Sequence, residues 1–222
     1  MANFNRITAT LTEKKELAPL IHLITFMLNS PIQFEAGQYI TLKIPSGNEI
    51  FDRPFSIASP PSENNSFQLL VKLIPGGLAS TFFENATIGT SIEVSGPDGA
   101  FHIKHTDRSI HLVASSTGIA PFRSIIYDLL KTKNFLLPLE LTFIVPPQEG
   151  MILKEELDML KKEHANFSFT VIEDTASFFS LLNEYKDKDF YLCGGQHFVQ
   201  DINSYLAKKS VDAERIHFEK FA

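Results

Sequence analysis

In the first half of the chain, hydrophobic and polar positions follow one another in short runs that turn residues separate. The runs are RITATLTEK, LIHLITFML, YITLKI, FQLLVKL and SIEVSG, with Gly, Pro, Asn or Ser between them. A period of two, together with branched and aromatic residues, is typical of β-strands. This pattern predicts an antiparallel barrel or sandwich.

After GPDGAFHIKHTDRS the pattern changes, and apolar strands alternate with segments of helical period. The predicted strands are IHLVA, LELTFIV, FSFTVIE, DFYLC and RIHFEKF, and the predicted helices are PFRSIIYDLLKT, ILKEELDMLKKEH, ASFFSLLNEYK and HFVQDINSYLAKK. Such alternation is typical of a doubly wound parallel sheet. The sequence therefore predicts two domains, an antiparallel β domain over residues 1–104 and an α/β domain over residues 105–222.

Composition and charge narrow the possible classes of function. The chain has 222 residues, of which 44% are hydrophobic and 21% are charged, as in ordinary folded proteins. The formal net charge of −6 argues against a nucleic-acid partner, because binding phosphates along a duplex needs a surplus of lysine and arginine. The single cysteine, Cys193, excludes an internal disulfide and a cysteine-ligated iron-sulfur cluster held by this chain alone.

No segment has the pattern of a membrane span or a secretion signal. The apolar run APLIHLITFML is interrupted by His22 and is shorter than the roughly 20 apolar residues that cross a bilayer. The N-terminal MANFNRITATLTEKK lacks a basic region followed by an apolar core. We therefore expect a cytoplasmic protein without a membrane span.

The segment RPFS, Arg53 to Ser56, contains one arginine among apolar and hydroxyl residues. The plain interpretation is an edge strand with a surface arginine, since an edge strand can spare the backbone donor that Pro54 lacks. The functional interpretation is that the Arg53 guanidinium pairs with a phosphate, Phe55 packs on a flat ring and Ser56 hydrogen-bonds to the edge of that ring. This segment alone leaves both interpretations open.

The segment PGGLASTFFENA, Pro75 to Ala86, has two glycines before a helical run. Glycine lets backbone N–H groups approach a ligand closely, and the start of a helix presents unpaired N–H groups to an anion. A plain turn followed by a capped helix explains the same residues. GPDGAF, Gly96 to Phe101, has the composition of a tight turn, which a hairpin connection also explains.

Two segments of the second half follow predicted strands. STGIAPF begins a helix with Pro121 in its first turn, where the missing N–H donor of proline costs nothing. YLCGG ends another strand, and open α/β sheets bind ligands at the carboxyl ends of their strands. The plain interpretations are an ordinary strand-to-helix loop and a cysteine buried in the core.

Taken in order, six segments resemble successive motifs of the ferredoxin-NADP reductase family, which includes flavin reductases and oxygenase reductase components. They are AGQYITLKIP, RPFSIAS, LLVKLIPGGLAST, IGTSIEVSGPDGAF, SSTGIAPF and YLCGGQHFVQDI, and they cover nearly the whole chain. The resemblance implies an N-terminal antiparallel β-barrel of Greek-key topology that binds FAD in preference to FMN. It also implies a C-terminal α/β domain that binds NADH or NADPH, with the flavin ring between the domains.

The resemblance further implies roles for residues of the first domain. Arg53 would hold the flavin phosphate, Phe55 would lie against the ribityl chain or the ring, and Ser56 would hydrogen-bond near flavin N5, where hydride arrives. The glycine-serine segment would bind the pyrophosphate of FAD. The implied cofactor-binding residues of this domain are Arg53, Pro54, Phe55, Ser56, Lys72, Gly76, Gly77, Leu78, Ala79 and Ser80.

In the second domain, the resemblance implies that Cys193 lies beside the nicotinamide during hydride transfer. The residues implied to bind the nicotinamide nucleotide are Thr117, Gly118, Pro121, Cys193 and Gly194. The implied catalytic residues are Ser56, Cys193 and Glu219.

The last residues, IHFEKFA, also contain candidates for the site. Members of the family often have an acidic residue and an aromatic residue near the flavin at this point, which correspond to Glu219 and Phe221. The ring of Phe221 would shield the flavin until nicotinamide displaces it. A final strand with Ile216 and Phe218 on its buried face explains the same residues equally well.

The chain departs from the family pattern in its nucleotide loops. Ser115 and Ser116 occupy positions where paired glycines are usual, and they add side chains where a close approach of the backbone is expected. Ile144 and Pro146 occupy positions where the family strand commonly ends in glycine, one residue and arginine. These differences leave weakened nucleotide binding as an open alternative.

A third departure bears on the choice of nucleotide. Glu173 and Asp174 occupy positions where some NADP-using relatives have serine and arginine. An acidic pair would repel a 2′-phosphate and could accept hydrogen bonds from a free ribose hydroxyl. The sequence therefore favours NADH over NADPH.

Together these features predict an FAD-dependent NAD(P)H oxidoreductase that passes electrons to a protein acceptor such as a ferredoxin, a flavodoxin or an oxygenase component. One alternative is a flavin or ferric reductase with a small-molecule acceptor. An alternative of another class is an FAD-binding subunit that has lost productive nicotinamide binding. No metal site is predicted, because His102 and His105 have no third ligand nearby in the sequence.

Overall fold

A computed structural model describes residues 7–104, 107–182, 185 and 187–221. Its first domain is a six-stranded antiparallel barrel. Its strands are β1 (Ile7–Ala18), β2 (Ile21–Leu28), β3 (Tyr39–Ser46), β4 (Glu49–Ser56), β5 (Ser66–Lys72) and β6 (Ser91–Asp98). They pair in the order β4-β3-β6-β1-β2-β5, and a bridge between Ile57 and Leu69 joins the two edges. This bridge closes the sheet, and the barrel prediction is confirmed.

The barrel strands form because alternate side chains point into a common core. On β3, Ile40, Leu42 and Ile44 are fully buried, whereas the residues between them are partly exposed. Burying one such aliphatic side chain contributes roughly 1.5–3 kcal/mol to folding. Across β2 and β5, the rings of Phe26 and Phe67 stack with centroids 5.3 Å apart. One helix, α1 (Leu78–Asn85), lies between β5 and β6.

The second domain is a five-stranded parallel sheet. Its strands are β7 (Ser109–Ser115), β8 (Leu139–Ile144), β9 (Phe167–Ile172), β10 (Lys188–Gly195) and β11 (Ile216–Phe221). Its helices are α2 (Ile119–Tyr127), which continues into a π-helical turn (Asp128–Thr132), α3 (Lys154–Glu163), α4 (Thr175–Leu181) and α5 (Gln196–Lys208). Alternate residues of β7 belong to two separate apolar clusters, since Leu112 packs with α2 and α3 while Val113 packs with α4 and α5. The doubly wound prediction is confirmed.

The strand order creates a switch point in the middle of the parallel sheet. The order is β11-β10-β7-β8-β9, so the chain runs outward from β7 in one direction and returns to build β10 and β11 in the other. A crevice forms at the carboxyl ends of the strands where the direction of winding reverses, and open α/β sheets bind ligands there. The loops after β7 and β10 therefore border the expected nucleotide site.

An apolar cluster joins the two domains. Ile21, Ala58 and Leu70 of the barrel pack in the same buried cluster as Phe122 and Ile126 of α2. Residues 105 and 106 lie outside the described residues, so the boundary between residues 104 and 105 stays a prediction.

Two local expectations differ from the structure. GPDGAF is not a hairpin connection, because Gly96–Asp98 continue β6, which pairs with β3 and β1, and the chain then passes to the second domain. The helix predicted over ASFFSLLNEYK ends at Leu181, where Leu182 becomes extended, and residues 183, 184 and 186 lie outside the described residues. Among the described residues, no helix is long and apolar enough to cross a membrane.

Candidate active site at the domain interface

The RPFS segment ends the edge strand β4, so its plain and functional interpretations are compatible. The guanidinium of Arg53 donates through Nη1 to the carbonyl oxygen of Asp52 over 2.8 Å, and it lies 5.6 Å from the ring centroid of Phe51. Within the part of the chain that the structure describes, no carboxylate forms an ion pair with Arg53. Its remaining donors are therefore free to bind an anion.

The glycine-serine segment forms a compact turn before α1. Gly76 has a φ of +73°, a conformation that favours glycine, and Ser80 Oγ accepts a hydrogen bond from the N–H of Ile74 over 2.7 Å. A side chain on Gly77 would place its Cβ 3.0 Å from the Ile74 carbonyl oxygen. The turn is therefore built from two glycines and one buried hydroxyl.

The first turn of α1 presents backbone donors beside β4. Gly77 is the N-cap and provides no side-chain cap, so the N–H groups of Leu78, Ala79 and Ser80 have no helical acceptor. Phe55 meets Phe83 of α1 edge to face, with centroids 5.6 Å apart, which brings β4 close to this helix. Free N–H groups and a nearby unpaired guanidinium form a donor set that fits a pyrophosphate.

A groove of about 540 Å³ lies along α1 next to this donor set. Both Gly76 and Leu78 of the glycine-serine segment line it. Its other lining residues are Pro45, Ser46, Thr81, Phe82, Asn85, Ala86 and Thr90. Its volume lies in the range of small-molecule and cofactor sites.

The three predicted catalytic residues lie together where the domains meet. The hydroxyl of Ser56 donates a hydrogen bond to Oε2 of Glu219 over 3.1 Å. Glu219 is the direct neighbour of Cys193 in the parallel register of β10 and β11, and Cys193 is the neighbour of Ala114 near the end of β7. One residue of the barrel and two of the α/β domain therefore share one site at the switch point.

Burial changes the pKa values of Glu219 and Cys193. Desolvation raises the pKa of the Glu219 carboxyl, and the hydrogen bond from Ser56 offsets part of that rise. Desolvation, with a smaller contribution from the Glu219 charge, also raises the pKa of the fully buried Cys193 thiol well above its ordinary value. Cys193 is therefore a neutral thiol at physiological pH, and Glu219 is the group of this site that can exchange a proton.

The loop after β7 packs tightly on the end of β10. A side chain on Gly118 would place its Cβ 2.2 Å from the carbonyl oxygen of Cys193, so only glycine fits there. A Cβ on Gly194 would lie 2.7 Å from the ring of Phe198. Close packing within the protein therefore explains why positions 118 and 194 are glycine. Pro121 lies buried in the first turn of α2.

Ser116 adopts an unusual conformation in this loop. Its φ is +54°, in the left-handed region where glycine is favoured, and its buried Oγ has no hydrogen-bond partner among the described residues. Thr117 follows it in a 3₁₀ turn, Ser116–Gly118, and is half-buried. A left-handed conformation favours glycine, which agrees with the family pattern expected at the position of Ser116.

Lys72 and Phe221 have protein partners in the structure. The ammonium of Lys72 pairs with Oε1 of Glu149 over 2.6 Å, which ties the barrel to the loop after β8. Phe221 lies beside Gly195 at the end of β11 and is half-buried against the apolar cluster that contains Cys193. Their roles toward a cofactor stay predictions.

Sequence reasoning missed two residues at this interface, Glu149 and Arg123. Arg123 directly follows the segment STGIAPF, and the signal for it is a single charged residue within the apolar first turns of α2. Glu149 has no comparable signal, because a glutamate in a Pro-rich loop normally faces solvent.

Of the histidine pair, His102 forms an ion-pair contact with Glu35 over 3.3 Å, and His105 lies outside the described residues.

Comparisons with known proteins agree with this architecture. An oxidoreductase FAD-binding domain model matches residues 8–103, and an oxidoreductase NAD-binding domain model matches residues 112–178. The 2-halobenzoate 1,2-dioxygenase electron transfer component of Burkholderia cepacia is 31% identical over 210 residues, which cover 87% of this chain and 60% of that protein. The chain spans 60% to 65% of the lengths of the first three curated relatives it matches.

Two solved structures share the fold. Phthalate dioxygenase reductase, described as modular for electron transfer from pyridine nucleotides to 2Fe-2S, superposes with a TM-score of 0.81 at 24% identity, covering 98% of this chain and 68% of its own. Ferredoxin-NADP+ reductase from Plasmodium falciparum superposes with a TM-score of 0.81 at 19% identity, covering 100% and 98%. Both domain models match in the same order along the chain, and the chain belongs to the ferredoxin-NADP reductase family.

Proposed function

We propose that this chain uses NADH to reduce FAD held by the barrel and passes the electrons to a separate protein, such as an oxygenase component, a ferredoxin or a flavodoxin. The observation on which the proposal depends is the hydrogen bond across the domain interface from Ser56 to Glu219, which is the strand neighbour of Cys193. Neither domain supplies this group alone, so the site requires the two domains to be held together.

The barrel residues support FAD as the bound flavin. Bound FAD would supply the chemistry of accepting hydride at N5 and releasing electrons singly. Arg53 and the free N–H groups of Leu78, Ala79 and Ser80 would hold its pyrophosphate. The groove beside α1 offers space for an adenylate half, which FMN lacks.

The interface residues would handle the proton and exclude water. The raised pKa of Glu219 lets its carboxyl keep a proton at a pH where a solvated glutamate is ionised, and Ser56 Oγ connects that carboxyl to the barrel face. The thiol of Cys193, which is fully buried and neutral, would keep the surroundings of the nicotinamide ring uncharged. Phe221, half-buried at the end of β11, would cover the ring face until nicotinamide arrives.

Charges at the end of β9 support NADH over NADPH. Glu173 and Asp174 are both exposed there, and Asp174 caps α4 by accepting a hydrogen bond from the N–H of Ser177 over 2.7 Å. That bond lowers the pKa of Asp174, so the carboxylate stays charged at neutral pH. A 2′-phosphate placed at this edge would meet two negative charges.

The chain's own chemistry and the names of its relatives support electron transfer to another protein. Its only cysteine is the buried Cys193, so a cysteine-ligated cluster cannot form from this chain alone. The Burkholderia relative is named as an electron transfer component of a dioxygenase. A small-molecule acceptor, as in a flavin or ferric reductase, is the alternative, and the retained glycine-serine segment argues for flavin held as a prosthetic group.

Two observations favour a second candidate, an FAD-binding subunit without productive nicotinamide binding. Ser116 occupies a left-handed position with a buried hydroxyl, and the loop that contains Pro146 is tied to the barrel through Lys72 and Glu149. Both features restrict the backbone where a nucleotide would approach. Direct measurement of flavin reduction separates the two candidates.

The test is an anaerobic titration of the FAD-reconstituted protein with NADH and, separately, with NADPH, followed by loss of oxidised-flavin absorbance. We expect rapid bleaching by NADH and slower bleaching by NADPH. Bleaching by neither nucleotide, with FAD bound, would establish the second candidate. Failure of the protein to bind FAD would contradict the assignment of the barrel site.

A further inference from the structure

Arg123 of α2 is a largely buried cation that reaches from the α/β domain into the barrel. Its side chain is only 12% exposed. Its Nη1 donates to the carbonyl oxygen of Ala58 over 2.8 Å and to Oε1 of Gln68 over 2.9 Å. Its Nε and Nη2 donate to the two carboxylate oxygens of Glu156 over 2.7 and 3.2 Å. Four of the five guanidinium donors are therefore used, in a fork that lysine cannot reproduce.

The barrel acceptors of Arg123 lie at the seam where the barrel closes. The N–H of Ala58 donates to the carbonyl oxygen of Gln68 over 2.7 Å, next to the bridge between Ile57 and Leu69. The side-chain amide of Gln68 is held in turn, because its Nε2 donates to Thr25 Oγ1 over 3.3 Å. Arg123 thus binds a fixed part of the barrel two residues beyond Ser56.

The partners of Arg123 within its own domain fix its position there. Glu156 belongs to α3, so the ion pair joins two helices that pack on the same face of the sheet. The guanidinium also lies 5.3 Å from the ring centroid of Tyr127. A buried charge that is paired and hydrogen-bonded in this way is costly to separate from its partners. The barrel seam, α2 and α3 are therefore joined at one point.

The same helix positions the nucleotide loop. α2 begins directly after Gly118, and Arg123 lies about 7 Å farther along the helix axis. Gly118 in turn packs against the carbonyl of Cys193. A displacement of α2 relative to the barrel would therefore move the nucleotide loop relative to Ser56.

We propose that Arg123 is a positioning residue for hydride transfer, which fixes the distance between the flavin-binding face of the barrel and the nucleotide loop after β7. The inference depends on the proposed function, because it concerns the separation of the two rings that react there. Reacting groups need near-contact geometry, and a misplacement of about 1 Å can lower a rate about a hundredfold. Loss of the fork should therefore impair transfer without removing either binding site.

The experiment compares Arg123→Lys and Arg123→Met with the wild type and with Arg215→Lys. Arg215 is a matched control, because it is 18% exposed and its contacts with the Lys188 carbonyl and with Asp189 stay within the α/β domain. Each FAD-reconstituted protein is mixed anaerobically with saturating NADH in a stopped-flow instrument. FAD content and the NADH concentration at half-saturation are measured in parallel.

We expect the limiting rate of flavin reduction to fall about tenfold in Arg123→Lys and up to about a hundredfold in Arg123→Met. FAD content and half-saturation should stay within about twofold, because neither binding site includes Arg123. The long-wavelength absorbance of reduced flavin stacked on oxidised nicotinamide should weaken in both variants. Arg215→Lys should match the wild type in all of these measurements.

A further readout does not need the cofactor. Hydrogen exchange of the apo protein should accelerate at the amides of Ala58 and Gln68 and at the start of α2 in Arg123→Lys, but not in Arg215→Lys. A folded Arg123→Lys protein with wild-type reduction rate and stacking absorbance would overturn the inference while leaving the proposed function intact. Absence of reduction in the wild type would instead overturn both.

Discussion

At the scale of single residues, the site depends on groups whose polar atoms the fold leaves available. Arg53 donates one hydrogen bond to the carbonyl oxygen of the adjacent Asp52, and it has no carboxylate partner among the described residues. Desolvation by burial raises the pKa of Glu219, and the hydrogen bond from the Ser56 hydroxyl offsets only part of that rise. A folded protein ordinarily pairs a charge or solvates it fully, so these exceptions support Arg53 and Glu219 as candidate functional residues.

The first prediction concerns Arg53. Arg53→Ala should weaken FAD binding about tenfold to a hundredfold, because a hydrogen bond to a charged group contributes about 1.5–3 kcal/mol. The measurement is titration of FAD into apo protein, followed by flavin fluorescence. Far-UV circular dichroism should stay unchanged, since Arg53 contributes no ion pair within the described structure.

Lys43→Ala is the matched control for Arg53. Lys43 lies on the neighbouring strand β3 and pairs with Asp52 over 3.2 Å, so its removal deletes a nearby positive charge that already has a partner. FAD affinity should change less than twofold in this control. Equal losses in both variants would show that general charge attraction, rather than direct contact by Arg53, governs binding.

At the scale of elements, two loops and one helix start build the site. The turn before α1 is closed by Ser80 Oγ on the Ile74 N–H, which leaves the first N–H groups of the helix open. The loop after β7 instead packs against β10 with no space for a side chain at Gly118. The first loop is therefore arranged to receive an anion, whereas the second is arranged to hold two strands in contact.

The second prediction tests that packing. Gly118→Ala should lower the free energy of unfolding by about 1–3 kcal/mol, because its Cβ would overlap the Cys193 carbonyl oxygen at 2.2 Å. The φ of −61° at this position suits alanine, so the cost is one of space alone. Urea unfolding of the apo protein measures it.

Gly195→Ala supplies the control, because Gly195 ends β10, the strand against which Gly118 packs. A Cβ at Gly195 meets no atom within 4 Å, and its φ of −61° is also allowed for alanine. The free energy of unfolding should change by no more than about 0.5 kcal/mol. If the two variants are equally stable, the contact between the loop and β10 is looser than described.

At the scale of the whole molecule, function depends on how two domains are held together. A shared apolar cluster, the Ser56–Glu219 hydrogen bond, the Arg123 fork and the Lys72–Glu149 ion pair all cross the interface. Interfaces between domains of one chain otherwise permit relative motion. Several buried polar contacts at one interface therefore favour a single relative orientation.

The third prediction concerns the Lys72–Glu149 pair. Lys72→Met should lower the free energy of unfolding by about 1–3 kcal/mol, because it leaves the carboxylate of Glu149, which is 10% exposed, without a partner. The double variant with Glu149→Gln should regain more than half of that loss, since no buried charge remains. Urea unfolding measures both, and an unchanged stability of Lys72→Met would contradict the interface role.

The same double variant tests the predicted cofactor role of Lys72. If Lys72 also binds a cofactor phosphate, stability should return in the double variant while affinity for FAD or NADH stays low. If affinity returns with stability, Lys72 acts only through Glu149. FAD and NADH titrations of the two variants distinguish these results.

The sequence by itself determined the elements, the two-domain order and the family. Strand and helix periods depend on which face of a segment is buried, and this local property can be read from neighbouring residues, as at Ile40, Leu42 and Ile44. The candidate residues Arg53, Ser56 and Cys193 could be proposed from the sequence because their short segments resemble motifs of the family. The local pattern was misleading at GPDGAF. Its composition is typical of a turn, and it does not show that Gly96–Asp98 continue β6, which pairs with β3.

Only the tertiary structure decided which of these residues meet. Ser56 and Glu219 are 163 positions apart, and their hydrogen bond exists because strand order puts the end of β11 against the barrel. The pairing of Lys72 with Glu149 and the reach of Arg123 to Ala58 likewise depend on the packing of one domain on the other. Such contacts follow from the sum of many weak apolar interactions over the whole interface, which no local period in the sequence records.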